Sequence, residues 1–198
     1  IRDRFPRVYQ TRKVKKDGSA VYFGDSENLM PATGTNYGRL KTNIERHLKE
    51  TPYFVDIDPR TYNLCIEKLE QKLIYSKKNN CLPKIIIPVH FAGQSCDMKK
   101  IYSLGKQYGF KIIEDASHAI GGSYMKNKVG MCEYSDITVF SFHPVKIITT
   151  GEGGVATTKC PELSKKMEVF RSHGITRDNK MMMSESDGPW YYEQIDLG

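Results

Sequence analysis

Long apolar runs are missing: no stretch approaches the roughly 18–20 residues that cross a bilayer, and none resembles a signal peptide. Both absences point to a cytoplasmic protein. Cysteine is sparse and scattered, with Cys65, Cys81, Cys96, Cys132 and Cys160 forming no CxxC pair and no Cys/His ladder of zinc or iron–sulfur spacing. The expectation is reduced, structural thiols and no metal. The glycine patterns GxxxxGK(S/T) and GxGxxG are absent, which removes the two commonest glycine-rich phosphate cradles. No internal repeat or low-complexity tract occurs.

What is there suits one soluble domain: 198 residues, 39% hydrophobic and 27% charged, enough to bury a core without staples. The net charge of +7 is unevenly spread, since residues 1–50 hold eleven Lys/Arg, four of them in Arg12-Lys13-Val14-Lys15-Lys16, against six Asp/Glu. A basic patch with no aromatic stacking series and no recognition helix reads as a solvated face and not as a nucleic-acid interface. It also suits attraction for an anionic ligand. Ile1 and the final Ile195-Asp196-Leu197-Gly198 carry no starting or capping signal, so the sequence reads as a portion of a longer one.

From residue 51 onward, short apolar runs alternate with helical patterns, the signature of βαβ units and a largely parallel sheet. Strands are expected at Tyr53–Ile57, Lys84–His90, Lys111–Asp115, Ile137–Phe142 and Val155–Thr158. Leu64, Leu69 and Leu73 predict a helix within Asn63–Leu73, and Met98, Ile101, Tyr102 and Leu104 predict another over Asp97–Tyr108, capped by Asp97 or Ser95 and ended by Gly109. Pro161 opens a third, and residues 172–190 read as loop. Residues 1–50 fit the alternation poorly, because Gly18, Gly24, Pro31, Gly34 and Gly38 interrupt every candidate element except a helix over Tyr37–Lys49.

Two residues draw attention on chemical grounds. Asp115 ends an apolar strand at the edge where open α/β sheets bind ligands, and it reads equally as a site carboxylate or a turn cap. Lys146 stands between the strand Thr138–Phe142 and Gly151-Glu152-Gly153-Gly154. Desolvation there would favour the neutral amine, the form that condenses with an aldehyde, although an ordinary ion-pair role is open too. His90 and His143 lie near strand ends without a second ligand at metal spacing.

The string Ile113-Glu114-Asp115-Ala116-Ser117-His118-Ala119-Ile120-Gly121, followed in register by Phe140-Ser141-Phe142-His143-Pro144-Val145-Lys146 and the segment through Gly154, resembles the paired signature of the DegT/DnrJ/EryC1/StrS aminotransferases. Supporting matches are Val55–Pro59, Pro88–Gln94, Arg171–Gly174 and Gly188–Tyr192. The resemblance covers residues 51–198 and implies an α/β fold: the large domain of a fold-type I aminotransferase, three-layer α/β/α with a mostly parallel sheet, incomplete here. It implies pyridoxal 5'-phosphate (PLP) as cofactor, Lys146 as the lysine that bonds it and carries the proton, and Asp115 as partner of the pyridine nitrogen. His118 would help to hold the ring, or be a packed histidine, and Ser141 would contact the cofactor phosphate.

Within the family, Ser117-His118 and His143-Pro144-Val145-Lys146 most resemble the branch of the pseudaminic acid pathway that aminates C4 of a UDP-linked 4-keto-6-deoxy sugar. Glutamate as amino donor, a nucleotide-sugar acceptor, a role in polysaccharide biosynthesis and a homodimer are implied alike. A family dehydratase would carry histidine where Lys146 stands. Residues 1–50 do not match the family: its Ser-Gly-Thr-Ala phosphate helix is echoed only by Gly34-Thr35-Asn36, and the downstream Asn-Tyr-Arg segment is not found. Two readings therefore stand, an aminotransferase portion or a truncated non-catalytic paralogue that binds a partner subunit or sugar nucleotide.

Overall fold

The computed structural model describes the backbone of residues 20–24 and the whole of residues 51–196. The expected helix over Tyr37–Lys49 and the Gly34-Thr35-Asn36 segment lie outside the described residues. Strands are β1 (Ala20–Gly24), β2 (Pro52–Val55), β3 (Pro83–Ile87), β4 (Lys111–Asp115), β5 (Ser123–Tyr124), β6 (Asn127–Lys128), β7 (Ile137–Ser141), β8 (Gly154–Thr157), β9 (Ile175–Thr176) and β10 (Glu193–Gln194). Helices are α1 (Ile66–Lys78), α2 (Met98–Tyr108) and α3 (Pro161–Arg171).

A six-stranded sheet in the order β2-β1-β3-β4-β7-β8 forms the centre. Every neighbouring pair is parallel except the last, β7 with β8. The core lies where α1 and α2 meet this sheet. Leu69 and Leu73, one helical turn apart on α1, are fully buried with Ile86 of β3, Ile101 of α2 and, close by, Ile112 of β4. Each such leucine contributes about 2 kcal/mol through the apolar area it removes from water.

Local chemistry sets the ends of α2. The Asp97 carboxylate accepts the Lys100 N–H at 3.4 Å, and Gly109 closes the helix at φ 82, a left-handed position that glycine adopts without a Cβ penalty. Pro161 begins α3, where its missing N–H costs nothing.

Three expectations need correction. Ala20–Gly24 forms β1, inserted between β2 and β3 and parallel to both, although glycines around it hid any strand pattern. β3 ends at Ile87 instead of His90, because Pro88 has no N–H to give the ladder; Val89 keeps a single bridge to Asp115. Within the segment read as loop, Ile175–Thr176 pairs antiparallel with Glu193–Gln194. Two-residue strands carry too little alternation to be seen in a sequence.

Candidate functional site

The register of β4 against β7 sets Glu114 beside Thr138 and Asp115 beside Val139. Because side chains alternate along a strand, Glu114 and Thr138 share the face toward α1 and α2, while Asp115, Val139 and Ser141 share the other. Asp115 ends its strand at the carboxyl edge of the sheet. Its N–H donates to the Pro88 carbonyl and its own carbonyl accepts the His90 N–H, each at 2.9 Å, while its Oδ1 accepts the Ser117 N–H at 3.1 Å.

Lys146 belongs to the loop that joins β7 to β8. The loop is tied across its base: the Phe142 N–H donates to the Gly153 carbonyl at 2.8 Å, and the Phe142 carbonyl accepts from the Thr150 N–H at 3.1 Å and the Thr149 hydroxyl at 2.9 Å. Within it the Lys146 N–H donates to the His143 carbonyl at 2.9 Å, and Ser141 Oγ accepts the His143 N–H at 3.4 Å. The glycine run closes the loop because backbone passes backbone there: a Cβ on Gly154 would stand 2.7 Å from the Phe140 carbonyl oxygen.

This loop brings Lys146 Nζ to 3.0 Å from His118 Nε2, across 28 residues of sequence. Both side chains are half-buried. Burial and the nearby Lys146 charge together hold the His118 imidazole below its ordinary pKa, against an opposing pull from the Asp115 carboxylate. Asp115, His118 and Lys146 thus form one electrostatic group at the carboxyl edge of β4 and β7. Ser141, at the end of β7, shares the Asp115 face and bonds within its own loop.

Behind this group lies a buried polar cluster that the sequence did not disclose. His90 Nε2 stands 2.7 Å from Glu114 Oε2, and the other Glu114 oxygen accepts hydroxyls from Ser135 and, at 3.0 Å, Thr138. Burial pushes the Glu114 carboxyl up, but the hydrogen bonds from His90 and Ser135 outweigh it and hold the carboxyl below its ordinary value. The available signal was Glu114 itself. On a strand where it shares a face with buried Ile112, a carboxylate needs partners. Asn63, buried and bonded to the turn after β3, gave no signal at all.

Among the described residues, no group of three or more His, Cys, Asp or Glu side chains is arranged to hold a metal ion, and no helix is long and apolar enough to cross a membrane. The five cysteines are free. Cys96, with burial the largest cause, has its thiol pushed up to about 12.

Residues 41–189 match the family model of the DegT/DnrJ/EryC1/StrS aminotransferases. The chain is 43% identical over 156 residues to the uncharacterized protein MJ1066 of Methanocaldococcus jannaschii, covering 79% of this chain and 38% of that protein. It is 39% identical over 145 residues to a UDP-4-amino-4,6-dideoxy-N-acetyl-beta-L-altrosamine transaminase of Campylobacter jejuni, covering 73% and 35%. In three dimensions it resembles Helicobacter pylori PseC, an aminotransferase involved in the biosynthesis of pseudoaminic acid, with a TM-score of 0.67 at 28% identity over 95% of this chain and 43% of that one. The chain therefore spans well under half the length of the relatives it matches. Three quarters of it falling under one family model, on a sheet of the same fold, places it by descent: the chain belongs to the DegT/DnrJ/EryC1/StrS aminotransferase family.

Proposed function

We propose that the chain is the cofactor-bearing part of a PLP-dependent sugar-nucleotide aminotransferase. The observation that carries this reading is the 3.0 Å pair of Lys146 Nζ and His118 Nε2 beside Asp115 at the carboxyl edge of the sheet. The donor set fits PLP: a primary amine for its aldehyde carbon, a carboxylate for its ring nitrogen, an imidazole next to the amine, and the Ser141 hydroxyl for its phosphate. Bound PLP supplies an electron sink, which a protonated ring nitrogen strengthens.

Each residue has a task that follows from its surroundings. Asp115 keeps a proton on the ring nitrogen because its carboxylate is already aimed by the Ser117 N–H. His118, held neutral by burial and by the Lys146 charge, accepts a hydrogen bond from Lys146 Nζ and so aims the amine at the site. With PLP bound, Lys146 Nζ would carry the proton that the amino-group transfer moves.

The acceptor in this reading is a nucleotide-linked 4-keto-6-deoxy sugar and the donor is glutamate, in a cytoplasmic homodimer. The nucleotide-sugar name of the Campylobacter relative supports that substrate class.

The test is an absorbance spectrum of the purified chain with PLP, before and after borohydride, with Lys146→Ala in parallel. A visible band that reduction fixes covalently at Lys146 is expected. No lysine-dependent band would sink the reading and favour a non-catalytic binding role.

A further inference from the structure

The turn that follows β3 is strained and doubly anchored. Ala92 adopts φ 51, a left-handed conformation unusual for alanine, inside the Phe91–Gly93 turn. Such a conformation persists only where the surroundings over-determine it. Here two buried polar side chains do so. Asn63, 4% exposed, accepts the Phe91 N–H on Oδ1 at 3.0 Å and donates Nδ2–H to the Gln94 carbonyl at 2.9 Å. His90 accepts the Cys96 N–H on Nδ1 at 3.2 Å, so its ring proton lies on Nε2 and is donated to Glu114.

The anchored turn touches the proposed site at two points. A Cβ on Gly93 would stand 2.9 Å from the His118 carbonyl oxygen, so this backbone lies directly against that of His118. The Phe91 ring meets the His118 ring edge-on at 6.3 Å between centroids. At the other end, Glu114 precedes Asp115, whose backbone is bonded to Pro88 and His90. Apolar side chains of matched volume would stabilise such an interior at least as well as a buried polar set. What a polar set adds is direction, since each bond admits one donor geometry.

We propose that His90, Glu114 and Asn63 are positioning residues: their clamp on the turn at 91–94 holds Asp115 and His118 in the geometry that lets Lys146 take up the cofactor. This rests on the PLP reading given above. None of the three touches the reacting atoms.

The test uses the full 198-residue chain with Asn63→Ala, Asn63→Asp, Glu114→Gln and, as a control, Leu73→Ala in the α1 core, which makes none of the clamp's hydrogen bonds. PLP affinity is read by absorbance, stability by urea, and the His118 ring by nitrogen-15 NMR of the cofactor-free chain. Asn63→Ala and Glu114→Gln are expected to weaken PLP binding roughly tenfold, a displacement of well under 1 Å sufficing. Both shift the His118 ring resonances. Asn63→Asp keeps the acceptor for Phe91 but sets a buried carboxylate oxygen against the Gln94 carbonyl, so it weakens PLP binding at least as much as Asn63→Ala, and it decides the matter if Asn63→Ala does not fold. Leu73→Ala lowers stability yet leaves PLP affinity within about twofold, because it removes apolar packing and none of the clamp's hydrogen bonds.

If Leu73→Ala weakens PLP binding as much as the clamp variants, the effect is general stability and the clamp is wrong. If the wild-type chain never attaches PLP through Lys146, the functional reading fails first. The cofactor-free spectra then decide the clamp alone: unmoved His118 resonances in Asn63→Ala overturn it, and shifted ones sustain it.

Discussion

Lys146 Nζ and His118 Nε2 stand 3.0 Å apart, an amine and an imidazole from different loops sharing one hydrogen bond. Only one of the two is comfortably charged. An ammonium donates to a neutral imidazole, whereas an imidazolium facing an ammonium repels it, and burial penalises the second charge further.

That asymmetry makes stability depend on pH. Burial, and after it Lys146, lowers the His118 pKa from 6.5, so below that pH the unfolded chain binds a proton that the folded chain resists. The contribution is fully present above 6.5 and is lost as pH falls through the folded value. Thermal unfolding followed from about pH 8 to about pH 5 should show a falling midpoint, and His118→Gln should flatten the fall. Parallel slopes in the two proteins would contradict it.

Glu114 should matter more than any surface carboxylate. In Glu114→Gln one oxygen remains: kept on His90 Nε2–H, it leaves the NH2 facing the Ser135 and Thr138 hydroxyls, which must turn from donors to acceptors, and the charge that strengthens all three bonds is gone. A loss of about 3 kcal/mol in urea unfolding at neutral pH is expected. The folded carboxyl is held below 4.5, so its contribution is present above that pH and lost as acid protonates it. The variant should therefore lose part of the wild-type acid sensitivity.

Gly93→Ala tests the closeness of two backbones. The residue sits at φ 87, and the added methyl would stand 2.9 Å from the His118 oxygen. A loss of about 1–3 kcal/mol is expected, with weaker PLP uptake, because relief requires His118 to move. A variant as stable as the wild type would show that the two segments are not in contact in solution.

Asp115→Asn separates fold from chemistry. The amide oxygen can still accept the Ser117 N–H, so unfolding should change by less than about 0.5 kcal/mol. An amide cannot hold a proton on a pyridine nitrogen. PLP uptake at Lys146 should fall roughly tenfold or more and the visible band should move. Unchanged affinity would remove Asp115 from the site.

Much of the scaffold was legible residue by residue. The apolar stripe of α2, its Asp97 cap and its Gly109 stop are all local, and each stands where the spacing put it. The run Lys111–Asp115 was a strand by its branched residues alone. β1 was not legible. A five-residue strand flanked by glycines is decided by the two strands it lies between, and no short window contains them.

The site divides the same way. Sequence alone determined the family, through two long strings in register, and it singled out Asp115 and Lys146 by residue type and by their place at strand ends. Tertiary structure alone decided that Lys146 meets His118, because a loop tied at Phe142 folds back over the end of β4. It also decided that His90, Glu114 and Asn63 form the buried frame behind them. The physical reason is range. Caps, turns and periodicity act over a few residues, whereas a buried polar group is satisfied by whatever the fold brings within 3 Å, here 24 to 31 residues away.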